Sequence, residues 1–274
     1  MDARTKKLVA VVGLAFLVAT AVAWLFLRRV EPVYNGKPLT FWAQQYGSNN
    51  WTARKELARE AEFAVRQIGT NAIPFLLDLM QARDSALKKR LRPHVPGKWH
   101  EPLHLNDNSA NVRRMGAHGL AALSTNAPAA VPALIELATQ HPDQDGRYIA
   151  VFALRTLGPA SEAAIPFYLQ CLTNRDGTIR NEAAVGLAVI PHRRETTLPA
   201  LLKYLESIET SAGWELGHAI ALLGYNFGTN AKPAVPRLLS LLNDSNPSVR
   251  EAATNSLLWI DPDAAEKAQV RRRW

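Results

Sequence analysis

One cysteine among 274 residues excludes an intramolecular disulfide, so this fold must be held by packing alone. That residue, Cys171, falls on the apolar side of a predicted helix and matches no nucleophile motif, which makes it a small buried hydrophobe. Catalytic signatures are also missing. There is no Gly-x-Ser-x-Gly elbow, Gly36-Lys37 lacks the upstream glycine of a phosphate loop, and His100-Glu101-Pro102-Leu103-His104 has the His-Glu-x-x-His order but carries a proline inside it, so it makes no metal-binding helix of that type. His118, His192 and His218 stand singly. No alternating strand pattern of any length competes with the helical one. The expectation is a non-catalytic, all-α chain with no cofactor and no metal.

Charge of one sign is scarcer than the total suggests. The formal net charge is +8, yet residues 1–29 carry five basic side chains and one acidic, which accounts for half of it. Arg271, Arg272 and Arg273 supply most of the remainder. The body is therefore almost neutral, which argues against a groove that tracks nucleic-acid phosphates.

Long hydrophobic runs are limited to one. Leu8 to Leu27 form 20 positions without a charge, and a helix of that length spans about 30 Å, the thickness of a hydrocarbon core. Lys6, Lys7, Arg28 and Arg29 bracket the run, and Trp24-Leu25-Phe26-Leu27 carries it past Ala23 into the arginines, as in a retained anchor. Ala21-Val22-Ala23 also has the small-x-small form of a signal-peptidase site, so secretion after cleavage near Ala23 is the alternative. A short basic tail at residues 1–7 favours the cytoplasm, which places the rest across the membrane.

What the chain has in abundance is proline at a regular period. Pro74, Pro132, Pro166, Pro199 and Pro236 each follow an aliphatic residue (Ile73, Val131, Ile165, Leu198, Val235), and the last three intervals are 34, 33 and 37 residues. That period indicates stacked helix pairs. Proline suits the first helical turn, so each should open the second helix of a pair. The expected buried stripe combines the residue before each proline, the third after it (Leu77, Ile135, Leu169, Leu202, Leu239) and the sixth after it (Met80, Ala138, Leu172, Leu205, Leu242). Small residues mark the preceding helices, as in Gly116-Ala117, Ala150, Ala153 and Ala183-Ala184. Gly69-Thr70-Asn71, Gly158-Pro159-Ala160 and Gly228-Thr229-Asn230 provide turns, while Ile190-Pro191-His192-Arg193-Arg194 lacks the glycine.

Leu157-Gly158-Pro159-Ala160 followed by Ala164-Ile165-Pro166, and Asn246-Pro247-Ser248-Val249-Arg250-Glu251-Ala252-Ala253, resemble HEAT repeats over residues 52–261. The stretch from Tyr34 to Trp42 behind a hydrophobic segment also resembles membrane-anchored bacterial HEAT-repeat proteins. The resemblance implies an α-solenoid of about five helix pairs behind one transmembrane helix. It also implies a periplasmic repeat domain on the bacterial inner membrane.

The expected organisation is a tail (1–7), an anchor (8–27), a linker (28–37), a solenoid (38–270) and a basic end (271–274). Pro74 and Pro132 are 58 residues apart, so about 84–108 is an insertion. Lys88, Lys89, Arg90, Arg92, Lys98 and Trp99 make it a candidate basic contact loop. Of His94, His100 and His104 within it, the last two have the i, i+4 spacing of a helical metal-ligand pair, but Pro102 between them interrupts the helix that the spacing requires, and no metal is expected. Leu39, Phe41, Trp42 and Tyr46 cap one end, and the polar Glu266, Lys267 and Gln269 close the other. Solenoids of this kind mostly bind, so the expected function is a membrane-tethered scaffold that holds a protein partner. Glu136, Gln170, Lys203, Arg237 and Ser240, between stripe residues on the proline-led helices, are the candidate contacts. The alternatives are a membrane-surface module using the insertion and tail, or a HEAT-like lyase or other enzyme.

Overall fold

The structure, a computed structural model, describes residues 30–46, 55–103, 108–209 and 211–270. The predicted anchor at 8–27, His104 and the tail 271–274 lie outside them. Among the described residues no helix is long and apolar enough to cross a membrane.

The chain begins with a two-residue antiparallel ribbon, β1 (Val33–Tyr34) and β2 (Lys37–Pro38), which the periodicity argument did not anticipate. Asn35 and Gly36 take positive φ (48° and 71°) between its strands, the backbone that a two-residue hairpin requires. Helix α1 (Leu39–Gln44) follows and buries Leu39, Trp42 and Ala43. Trp42 and Phe63 both make edge contacts with Tyr34 (ring centroids 6.2 Å each), so the hairpin and α1 cover the first repeat as an end cap.

Helix pairs then succeed one another: α2 (Lys55–Ile68) with α3 (Ile73–Met80), a short α4 (Ala86–Leu91) in the insertion, and α5 (Ser109–Leu123) with α6 (Val131–Gln140). Next come α7 (Gln144–Thr156) with α8 (Ile165–Cys171), α9 (Gly177–Ala188) with α10 (Arg194–Ser207), and α11 (Gly213–Phe227) with α12 (Val235–Leu241). Helix α13 (Pro247–Ile260) is followed only by the short α14 (Pro262–Lys267), whose first turn Asp261 caps by accepting from the Ala264 N–H. From α5 onward the first helices stack on one another, and each second helix packs against the first helix of the following pair. One continuous apolar core results.

Four of the five prolines open their helices as expected, at the first or second position of α3, α6, α8 and α12. Pro199 does not; it lies inside α10, which starts at Arg194. The missing glycine explains this. Gly69, Gly158 and Gly228 take φ of 65°, 57° and 50° where the other pairs reverse direction, and Ser124 takes 47° at the α5 to α6 turn. The fourth junction has no such residue, so Pro191–Arg193 forms a 3-10 turn that runs straight into α10. The ring of Pro199 then faces the carbonyl of Glu195 and removes one helical hydrogen bond.

The buried stripe is also displaced by one position. Leu76, Leu134, Tyr168, Leu201 and Leu238, two residues after each proline, are the deeply buried side chains (none above 3% exposed). The leucines and isoleucine of the third position are only partly covered, and Leu239 is 38% exposed. The sixth position conforms through Met80, Ala138, Leu172 and Leu205. Because each helix is packed from two sides, its apolar arc is wider than a single stripe, and the third position falls on the edge of that arc. Tyr168 is the large member of the buried row. It fits because Gly186 faces it, where a Cβ would stand 2.6 Å from the ring, and its hydroxyl donates to Ser161 Oγ at 3.1 Å.

Leu238→Ala should therefore cost about 2–5 kcal/mol through the cavity it leaves, whereas Leu239→Ala should cost under about 1.5 kcal/mol. Urea denaturation of the two variants side by side checks the order; equal losses would contradict this placement.

Candidate functional site

The repeats are joined by arginines that the sequence reading did not single out. Near the start of each of four first helices, one arginine reaches back to carbonyl groups of the preceding loop. Arg113 donates to Ala82 O (2.7 Å), and Arg147 to His141 O (2.6 Å) and Pro142 O (3.2 Å). Arg180 donates to Asn174 O (2.7 Å) and Arg175 O (3.2 Å), and Arg250 to Asp244 O (2.7 Å) and Ser245 O (3.0 Å). Those carbonyls belong to chain leaving a helix C-terminus, where acceptors lack helical partners. Two of the arginines also bind acids of the following repeat: Arg113 meets Asp145 at 2.7 Å, and Arg180 forks onto Glu215 at 2.6 and 2.5 Å. Glu215 is 2% exposed and also accepts from the Tyr204 hydroxyl at 2.7 Å. This linkage is structural, and it sets the spacing of the surface beside it.

That surface is the proline-led face. Glu136, Gln170, Lys203 and Ser240 occupy one equivalent position, four residues after their prolines, and all are exposed. Arg237 differs. It is half-buried, and its guanidinium donates to Ile208 O at 3.3 Å, so it is partly committed to the fold. Ser240 donates to Arg237 O at 2.7 Å. Between α3 and α6 lies a cleft of about 600 Å³ lined by Leu77, Asp78, Arg83, Glu136, Gln140 and His141. A second, of about 510 Å³, lies along α6 and α8 and includes Thr139, Arg147, Phe167, Gln170 and Cys171. Glu136 and Gln170 thus line successive clefts, while Lys203, Arg237 and Ser240 continue the row on α10 and α12.

The insertion has local structure of its own. Ser85 caps α4 by accepting from the Lys88 N–H, and 3-10 turns follow at Arg92–His94 and Gly97–Trp99. Its basic residues are not equivalent. Arg92 pairs with Asp84, and Lys89 lies 3.6 Å from Asp143. Lys88, Arg90 and Lys98 make no ion pair among the described residues. His100 Nε2 sits against the carbonyls of Val95 (2.8 Å) and Arg92 (3.2 Å), which closes the loop on itself. Among the described residues no group of three His, Cys, Asp or Glu side chains could hold a metal.

A third feature escaped the sequence reading. Trp214, His218, Ala221 and Tyr225 on α11, with Ala252, Asn255 and Trp259 on α13, line a groove of about 460 Å³. The spacing of four, seven and eleven residues on α11 is the signal that could have found it.

Models of HEAT repeats match residues 131–212, and a HEAT repeat model matches residues 234–258. These stretches of the chain are HEAT repeats. No curated protein matches it. An engineered protein, crystallised by the Northeast Structural Genomics Consortium, is similar at 20% identity over 84% of this chain and 97% of its own, with TM-score 0.40. In the HEAT-repeat body, Cys171 is buried and its thiol is pushed up to about 11 by burial, consistent with a packing role.

Two expectations follow. Arg180→Ala strands the buried Glu215 and should cost about 3 kcal/mol; Arg180→Met with Glu215→Leu should recover much of that in urea denaturation. Burial holds the imidazoles of His118 and His141 below their ordinary pKa. The unfolded chain takes up those protons near pH 6.5, so the stability they contribute is present above that pH and is lost as pH falls through it. Thermal melts from pH 8 to 5 should show a decline that is smaller in His141→Asn; an unchanged slope would contradict the assignment.

Proposed function

We propose that this chain is a membrane-tethered HEAT-repeat scaffold that holds a protein partner along its proline-led face. HEAT repeats commonly serve as protein-interaction scaffolds. One observation carries the placement. The third position after each proline (Leu77, Ile135, Leu169, Leu202, Leu239) is aliphatic yet only partly covered by the chain itself. Beside it runs the polar row of Glu136, Gln170, Lys203 and Ser240. A recurring apolar strip with a polar margin is the composition of a protein interface, whose centre excludes water and whose rim supplies orientation. The charge along the margin changes from Glu136 to Lys203 and Arg237, which gives a partner a preferred direction.

The tether is residues 8–27, and the repeats lie on the periplasmic side of a bacterial inner membrane. Support comes from the length of the uncharged run and from the arginines that end it. Binding is by shape and by contacts spread over several repeats rather than by a single pocket.

Photo-crosslinkers placed at Glu136, Gln170, Lys203 and Ser240, in the full chain in its native membrane, should capture one common protein. Glu136→Lys combined with Lys203→Glu should abolish that capture while circular dichroism stays unchanged. Undiminished capture by the reversed chain would rule out this face.

A further inference from the structure

The insertion between α3 and α5 exposes apolar side chains that a solvated connector has no reason to carry. Leu87 is 66% exposed, Trp99 50% and Leu103 55%, and Leu91 is exposed as well. Leu87 and Leu91 are four residues apart on α4 and so share one side of it. Lys88, Arg90 and Lys98 accompany them; Asp84 is already taken by Arg92, and the exposed Glu101, the other described acid of the insertion, leaves the segment with a clear excess of positive charge. The His100 contacts to Val95 O and Arg92 O hold Trp99 beside Pro96 in a closed loop rather than a free one. Leucine and tryptophan presented with unpaired cations are the composition of a segment lying in a headgroup layer: rings and aliphatic chains enter the acyl boundary, and ammonium and guanidinium groups meet anionic lipid.

We infer that residues 86–99 dock the first repeat onto an anionic bilayer surface. Position supports the chemistry, on the reading of residues 8–27 as the anchor. Pro32 is already bonded into the end cap, where its carbonyl accepts from the Leu39 N–H at 2.9 Å. Five residue steps separate it from Leu27 and span at most about 18 Å. The insertion belongs to the repeat nearest that tether. The spanning anchor and this electrostatic contact together would then fix the orientation of the solenoid and direct its proline-led face.

The test uses the full chain reconstituted into bilayers. Gly97→Cys supplies a labelling position, because a Cβ there meets no atom within 4 Å. Cys171 is buried, and the same treatment of the chain without Gly97→Cys gives any label it takes up. A nitroxide at residue 97 reports collisions with oxygen, which concentrates in lipid, and with a nickel chelate, which stays in water. In bilayers containing phosphatidylglycerol the label should be open to oxygen and shielded from the chelate. Pure phosphatidylcholine should return it to water, as should Lys88→Glu with Arg90→Glu and Lys98→Glu. Each lost cation weakens surface attachment about fivefold, so the triple change should weaken it by about a hundredfold or more. Equal chelate access on both bilayers overturns the inference. Shielding that appears only on adding polyglutamate also overturns it, in favour of an acidic protein. A chain that carbonate extracts from both bilayers fails the anchor reading instead. Co-sedimentation of that chain with anionic but not neutral vesicles then still supports the insertion, and its absence rejects it.

Discussion

Carbonyl groups left over where each second helix ends are what this solenoid must satisfy before its repeats can stack. Helix C-termini leave acceptors without helical partners, and at the joins between repeats those acceptors are partly shielded from water. Arg113, Arg147, Arg180 and Arg250 meet that need from the helix that follows. A guanidinium can do so because it carries five donors in a planar fork, so one side chain serves two carbonyls and still has donors for an acid. The connection therefore couples the end of one pair to the start of the next. Where Arg180 extends the linkage to Glu215, it couples the pair after that as well.

The arginines hold the backbone; the packing between them sets which side chains are left outside. Second helices are covered by the first helix of the following pair and by the adjoining 3-10 turns, and the rest of their surface is left open. Leu201 and Leu238 fall inside the covered arc, and Leu202 and Leu239 fall at its border. The border residues are the ones available to a partner. The insertion, by contrast, sits outside the repeating scheme, so its apolar side chains have no neighbouring repeat to cover them.

Much of the fold was legible because its signals are local. The proline period, the glycines at the turns and the small residues of the first helices act within a few residues of themselves, and they located α3, α6, α8 and α12. Pro199 misled for the same reason. The residue type marks a helix start only when a preceding turn delivers the chain there, and Ile190-Pro191-His192 delivers it earlier. The one-residue error in the stripe has another source. A helix flanked on two sides buries an arc, and a period of 3.6 residues does not say which edge of the arc faces out. The arginine linkage was missed because Arg-x-x-Gly/Ala repeats in the sequence look like solvated charge until the loop carbonyls are placed opposite them.

Sequence by itself determined the helical repeat architecture, the glycine-marked turns, the site of the insertion and the kind of repeat, since each depends on short-range backbone preference and hydrophobic period. Tertiary structure alone decided which leucine of each adjacent pair is buried, which insertion cations are already neutralised, and that the arginines join the repeats. The acids that Arg113 and Arg180 reach lie 32 and 35 residues away, and the arginine–carbonyl bonds, though five or six residues apart in three of four cases, form only because packing holds each loop opposite the next helix; no local pattern carries that information.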